Sequence, residues 1–241
     1  MNNFAVQAVG LTRNFGKFVA VDHIDLEVER GEIFGFLGAN GAGKTTAIRM
    51  FCGLLKPSSG SATVSGFSVA NQTEQIKKNI GYMSQKFSLY NDLTIWENLS
   101  FYGGIYGLKK NDVRDRGEEF LKKVNLFDRR NELIGSLPLG FKQRLALGVA
   151  VLHKPKVVFL DEPTGGVDPV ARRKFWDLIY ELAEDGTTVF VTTHYMDEAE
   201  YCNRISIMIK GKIAALDSPA TLKRDWQAED MQTVFLKVVA S

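Results

Sequence analysis

Three glycines, a lysine and a threonine stand close together in Gly38-Ala39-Asn40-Gly41-Ala42-Gly43-Lys44-Thr45, spaced as G-x-x-x-x-G-K-[ST]. Glycines at such spacing let the backbone curl until successive N–H groups point inward, which makes a nest for phosphate oxygens. Lys44 adds a mobile positive charge for the outer phosphates, and the Thr45 hydroxyl a hard oxygen for Mg²⁺. A second set of chemical groups lies far downstream, where four apolar residues run into two acids in Val157-Val158-Phe159-Leu160-Asp161-Glu162. A buried strand ending in adjacent carboxylates can give one to Mg²⁺, here Asp161, and the other to the attacking water, here Glu162. Taken alone, two acids after a strand are a solvated turn. With a phosphate nest in the same chain they read as the other half of a hydrolytic site.

Two further polar residues leave apolar runs in the same way. Gln85 follows Ile80-Gly81-Tyr82-Met83-Ser84, where an amide could reach Mg²⁺ or the water; His194 follows Thr187-Thr188-Val189-Phe190-Val191-Thr192 and could hydrogen-bond a terminal phosphate. Each has a bland reading, as a polar residue leaving a strand or a structural histidine. Phe15, in Asn14-Phe15-Gly16-Lys17, offers a flat face for a base but serves equally well as core.

The elements that must position these groups can be read from pattern. Ile33-Phe34-Gly35-Phe36-Leu37 is a short buried strand, and Thr45 to Phe51 is the helix whose positive end faces the phosphates. Ile24, Leu26 and Val28 alternate with acids, so the first thirty residues read as edge strands with one wet face. Lys56 to Ser61 reads as a turn. From Thr94 the texture turns helical: Thr94-Ile95-Trp96-Glu97 is a capping box, and Asn111 to Val124 is a charged helix. Leu137-Pro138-Leu139-Gly140-Phe141-Lys142-Gln143-Arg144 then opens another helix, with proline expected in its first turn and its positive end exposed. The fold expected is α/β, a P-loop NTPase core with an N-terminal antiparallel β subdomain and an inserted helical subdomain. The chain reads as one domain over 1–241, with about 1–89 and 153–241 as core and about 90–152 as the helical part.

Composition sets the bounds. A chain of 241 residues, 45% hydrophobic and 24% charged, can bury a full core. A net charge of +2, with no dense basic block, gives no reason to expect nucleic acid as a partner. Cys52 and Cys202 lack metal-ligand spacing and read as free thiols. Met1-Asn2-Asn3-Phe4 has no signal-peptide character, and no long apolar run occurs, so any membrane role is expected to come through a partner.

In this order and spacing the motifs resemble the ATP-binding subunit of ABC transporters over nearly the whole chain. The resemblance implies that Phe15 is the aromatic that stacks on adenine, that Gly38, Ala39, Asn40, Gly41, Ala42, Gly43, Lys44, Thr45 and Thr46 bind ATP, and that Thr45, Gln85 and Asp161 hold Mg²⁺. It makes Glu162, His194 and Gln85 catalytic, Asp168 the D-loop residue, and Leu137, Pro138, Leu139, Gly140 and Phe141 the signature that meets ATP on a second copy of the subunit. Gly-Glu-Ile-Phe-Gly at 31–35, Gly-Val-Asp-Pro at 166–169 and Tyr-Met-Asp-Glu-Ala-Glu at 195–200 are similar to the ABC-2 type exporter branch. That implies integral membrane permease partners and a peripheral place on the cytoplasmic face of the membrane. Two positions depart from the pattern: Pro138 stands where serine is usual, and Phe141 where a polar residue is common. Proline supplies neither hydroxyl nor N–H, which keeps open a weakly hydrolytic regulatory subunit. A soluble ABC ATPase acting on DNA or ribosomes is the other alternative. The interval from Lys44 to Leu137 is too short for the long coiled coil of DNA-repair relatives, and this sequence holds one ATPase unit where ribosome-acting relatives usually carry two.

Overall fold

Five consecutive residues, Ile33–Leu37, are all buried, and they form a central strand because both faces of the sheet they enter are covered. The computed structural model describes residues 3–85 and 89–241. Met1 and Asn2, part of the stretch read above for signal-peptide character, and the three residues after Gln85 lie outside them.

Strands β1 (Phe4–Phe15) and β2 (Phe18–Glu29) form a long antiparallel hairpin, followed by β3 (Ile33–Leu37) and helix α1 (Lys44–Phe51). Next come β4 (Ser59–Val64), β5 (Phe67–Ser68), α2 (Thr73–Asn79) and β6 (Ile80–Met83). The chain continues through α3 (Ile95–Ile105), α4 (Lys110–Lys123), α5 (Leu139–Val151) and β7 (Val157–Asp161). It closes with α6 (Pro169–Glu184), β8 (Thr188–Thr193), α7 (Met196–Ala199), β9 (Arg204–Ile209), β10 (Lys212–Asp217), α8 (Pro219–Asp225) and α9 (Met231–Ala240).

Among the described residues these strands make two sheets, an antiparallel one ordered β2-β1-β4-β5 and a larger one ordered β10-β9-β3-β8-β7-β6. Two local expectations are corrected here. β1 is interior rather than an edge, because β4 pairs along it, and Ser59 to Ser61, expected as turn, is the start of that pairing strand. In the larger sheet β9, β3, β8, β7 and β6 all run parallel. Their C-terminal ends therefore share one edge, which brings together the residues following β3, β6, β7 and β8.

The period-two alternation of the buried strands sorts their side chains between two cores. Phe34 and Phe36 of β3, Phe159 of β7 and Phe190 of β8 face the antiparallel sheet and α1, and with Phe51 they form an aromatic cluster. Leu37, Val158, Leu160, Val189 and Val191 face the other way, onto a core shared with α3 to α6 and the C-terminal helices. α3 starts where the sequence marks it: Thr94 Oγ1 accepts the Glu97 N–H, and Glu97 returns the bond to the Thr94 N–H.

Candidate active site

The site is built at the shared strand edge. After β3 the chain turns through residues 38–43 and enters α1, with Gly43 at φ 110°. Only glycine holds that geometry easily, and at Gly38 a side chain would lie 2.6 Å from the Met208 carbonyl oxygen, so the loop stays pressed against β9. Lys44 is buried at 4% exposure; its Nζ donates to the Gly38 carbonyl at 2.7 Å and the Ala39 carbonyl at 3.2 Å, and lies 3.3 Å from Glu162 Oε1.

Asp161 ends β7 with 1% exposure. Its Oδ1 accepts hydrogen bonds from the Thr45 hydroxyl (3.0 Å) and the Thr192 hydroxyl (2.8 Å), while Oδ2 is buried and has no hydrogen-bond partner among the described residues. Burial raises its carboxyl above the ordinary range, against the pull of the two hydroxyls. An orphaned carboxylate oxygen beside a threonine hydroxyl is an all-oxygen donor set, and a divalent cation there would offset the desolvation of the acid. The residues fit Mg²⁺.

Glu162 takes the left-handed conformation, φ 51°, held by its N–H donating to the Thr192 carbonyl at 3.2 Å and hydroxyl at 2.9 Å. The turn sends its side chain back over the strand ends, and three groups meet it. Besides Lys44 on Oε1, Gln85 Nε2 donates to Oε2 at 3.1 Å, and His194 Nδ1 lies 3.1 Å from the same oxygen. Residues from the ends of β3, β6, β7 and β8 thus converge on one carboxylate. The adjoining cleft, about 330 Å³, is lined by Phe18, Ala20, residues 40–46, Gln85 and Glu162. A larger hollow of about 580 Å³, bordered by Arg116, Phe120 and Lys156, contains none of these groups, and the donor set rather than size locates the site.

Several residues singled out in the sequence lie outside the cluster. Phe15 faces Phe18 across the hairpin end, under the Arg13 guanidinium at 4.6 Å, and it is Phe18 that lines the cleft. Asp168 caps α6, accepting from the Val170 and Ala171 N–H groups at 3.1 and 3.0 Å. Leu137 to Phe141 do not line the cleft. Pro138, expected in the first helical turn, is instead the cap before α5: its backbone is extended (φ −58°, ψ 150°), and its carbonyl accepts from Phe141 (3.0 Å) and Lys142 (3.2 Å). The ring presets a φ that suits either place, and here ψ leaves Pro138 outside the helix. The Arg129 and Arg144 guanidiniums both lie over Phe141, 5.5 and 4.5 Å from its ring centroid.

Sequence reading missed Thr192 and Phe18. A threonine at the end of an apolar strand is an ordinary strand residue until its neighbour is known to carry two acids; for Phe18, the only signal was an aromatic across the turn from Phe15. Tyr82 also borders the acids. Burial, with the Asp161 charge adding, pushes its hydroxyl up to about 12, so it stays neutral at physiological pH.

Residues 21–165 match the family described as "ABC transporter". A curated relative in Escherichia coli (strain K12), "Probable multidrug ABC transporter ATP-binding protein YbhF", is 48% identical over 218 residues; the match covers 90% of this chain and 38% of the relative, so this chain spans well under half of that protein. A solved structure described as "Structure of ATP binding subunit of ABC transporter" superposes with TM-score 0.87 at 25% identity, covering 98% of this chain and 99% of that one. A second, the dimeric post-hydrolysis state of the ATP-binding cassette MJ0796 bound to ADP and Pi, superposes with TM-score 0.79 at 26% identity, covering 88% of this chain and 98% of that one.

Proposed function

The chain belongs to the ABC transporter family as an ATP-binding domain with ATPase chemistry, and from that premise we propose that it works as a dimer around two ATP molecules and drives export through separate membrane subunits of the ABC-2 type. The relative named for multidrug transport supports the exporter reading, and the dimeric ADP-bound structure supports the paired arrangement. No helix among the described residues is long and apolar enough to cross a membrane, which suits a peripheral subunit that reaches the cytoplasmic face through such partners.

The observation that carries the mechanism is the convergence of Lys44, Gln85 and His194 on Glu162. Phosphate oxygens compete for the ammonium protons that Lys44 now gives to the loop carbonyls and to Glu162, so substrate binding releases the carboxylate. Glu162 then orients water and takes its proton as the water oxygen bonds to the γ-phosphorus. The bond from that phosphorus to the bridging oxygen breaks, leaving ADP and phosphate. His194 holds the terminal phosphate, and the N–H groups of residues 38–46 cradle the others. Asp161, Thr45 and the Gln85 amide oxygen would hold Mg²⁺, which neutralises phosphate charge when bound. The Phe15 and Phe18 pair offers the adenine a flat face. Leu137 to Phe141 act on the nucleotide held by the second copy, with Asp168 nearby at the joint.

Gel filtration of Glu162→Gln with ATP tests this. The variant keeps the binding groups and loses the base, so it should elute as a dimer with ATP and as a monomer without it. A variant that stays monomeric and hydrolyses ATP normally would overturn the proposal. Isolation from membranes in detergent should bring down a multi-span protein, and its absence would count against the export role.

A further inference from the structure

Glu198, on the short helix α7, is fully buried at 0% exposure, and none of the roles above uses it. A carboxylate without solvent is costly unless its bonds are strong. Its bonds are short: Oε1 accepts from the Thr164 hydroxyl and Oε2 from the Thr193 hydroxyl, both at 2.5 Å, in the range of charge-assisted O–H···O⁻ bonds. Thr164 lies two residues after Glu162, and Thr193 immediately precedes His194. Thr193 Oγ1 also accepts the Tyr195 N–H at 3.0 Å, which bends the chain just past His194. From α6, Arg172 Nε comes within 3.8 Å of Glu198 Oε1; its guanidinium covers the Tyr195 ring at 4.1 Å and reaches Asp197 at 3.3 Å.

One carboxylate therefore grips the loop that carries Glu162 and the loop that carries His194. Glu162 holds a left-handed conformation uncommon for a non-glycine residue, φ 51°, and the Glu198 bond to Thr164, two residues on, adds to the Thr192 bonds that fix it. We infer that Glu198 is a positioning residue for hydrolysis: by bridging Thr164 and Thr193 it sets the 3.1 Å contact between Glu162 and His194. The inference rests on the roles given above to those two residues. It also ties α6, which begins at the D-loop residue Asp168, to the histidine loop through Arg172.

The test is ATPase kinetics together with binding of a fluorescent ATP analogue and thermal unfolding. Glu198→Ala should lower kcat about 100-fold, the cost of misplacing reacting groups by about 1 Å, while analogue affinity stays within about twofold. Glu198→Gln can still accept from one threonine and donate to the other, so it should recover kcat to within about tenfold of the parent. In a His194→Ala background, Glu198→Ala should cost little more, since its effect passes through the contact already lost. Losses that multiply fully in that background, or analogue affinity falling in step with kcat, would overturn the inference and leave Glu198 as a support of the fold. Should Glu198→Ala not fold, Thr193→Val removes one bridge at nearly constant volume, and the same criteria apply to it. Failure of the underlying reading shows separately, as Glu162→Gln turning over ATP normally whatever stands at 198.

Discussion

The strand-end cluster and the start of α5 are both read as phosphate-handling surfaces, yet they are built in opposite ways. At the strand ends the charged groups are buried and answered within the chain: Lys44 meets Glu162, Glu162 meets Gln85 and His194, and Asp161 holds two threonine hydroxyls. At α5 the first turn has no acidic residue and the cap is a proline without a side-chain hydrogen bond; of the two guanidiniums near Phe141, Arg129 is paired with Glu132 at 2.9 and 2.7 Å, while Arg144 donates to the Gly140 carbonyl at 3.3 Å. Arg144 is buried enough that desolvation lowers its pKa. Arg144 and the positive end of the helix together favour an anion brought from outside. The strand-end surface answers most of its charged groups within the single chain, leaving Asp161 Oδ2 open, whereas the α5 surface is the one proposed to act on a second molecule.

The comparison breaks most visibly if the complete half is opened. Lys44→Ala and Asp161→Asn should each lower ATP turnover by about 10³-fold or more, the scale of losing a preorganised charge-stabilising group. They should part company in stability. The folded state raises the Asp161 pKa, so this group favours the fold most below the ordinary carboxylate value and loses that contribution as pH rises through the raised one. Above the raised value the ionised side chain is a burden, so Asp161→Asn should raise Tm there. Thermal unfolding across the acid range checks the sign: the gain should shrink as pH falls, and a gain that grows would contradict the assigned shift.

Glu162→Gln comes next, with kcat expected to fall about 10²–10⁴-fold, as for loss of a general base, and ATP affinity retained. Single-turnover kinetics separates the two quantities. Gln85→Ala sharpens the comparison at the edge of the cluster. It should lower ATPase activity far less in the isolated subunit than in complex with the proposed membrane partner, and equal losses in both would assign Gln85 to chemistry alone. The smallest effect belongs to the α5 surface. Pro138→Ser adds a hydroxyl whose hydrogen bond to a charged acceptor is worth about 1.5–3 kcal/mol. In a Glu162→Gln background it should therefore tighten ATP-dependent dimerisation by about tenfold or more, measured by analytical ultracentrifugation. An unchanged constant would mean that the extended cap formed by Pro138 already presents the Leu139 and Gly140 N–H groups adequately.

Chemistry carried by residues adjacent in the chain is legible in the sequence itself. The glycine spacing of 38–43, the acids closing Val157–Asp161 and the Thr94 capping box are local patterns, and the backbone geometry they demand is met within a few residues. Buried strands show as apolar runs because the parallel sheet covers both their faces. What depends on pairing does not show. β1 is interior only because β4 lies beside it, and Phe18 reaches the cleft through the hairpin that sets it opposite Phe15.

Sequence alone thus marked which residues could do the chemistry, with Gln85, Glu162 and His194 following strands and Lys44 where the loop after a strand enters a helix. Tertiary structure decided that those strand ends share an edge, since the parallel order β3-β8-β7-β6 brings together Lys44, Gln85, Glu162 and His194, residues up to 150 positions apart in the chain. It also decided that Thr192 bonds to both acids and that Glu198 bridges the loops carrying Glu162 and His194. A buried hydroxyl or carboxylate takes its role from the partner that replaces water, and that partner is chosen by packing across the sheet.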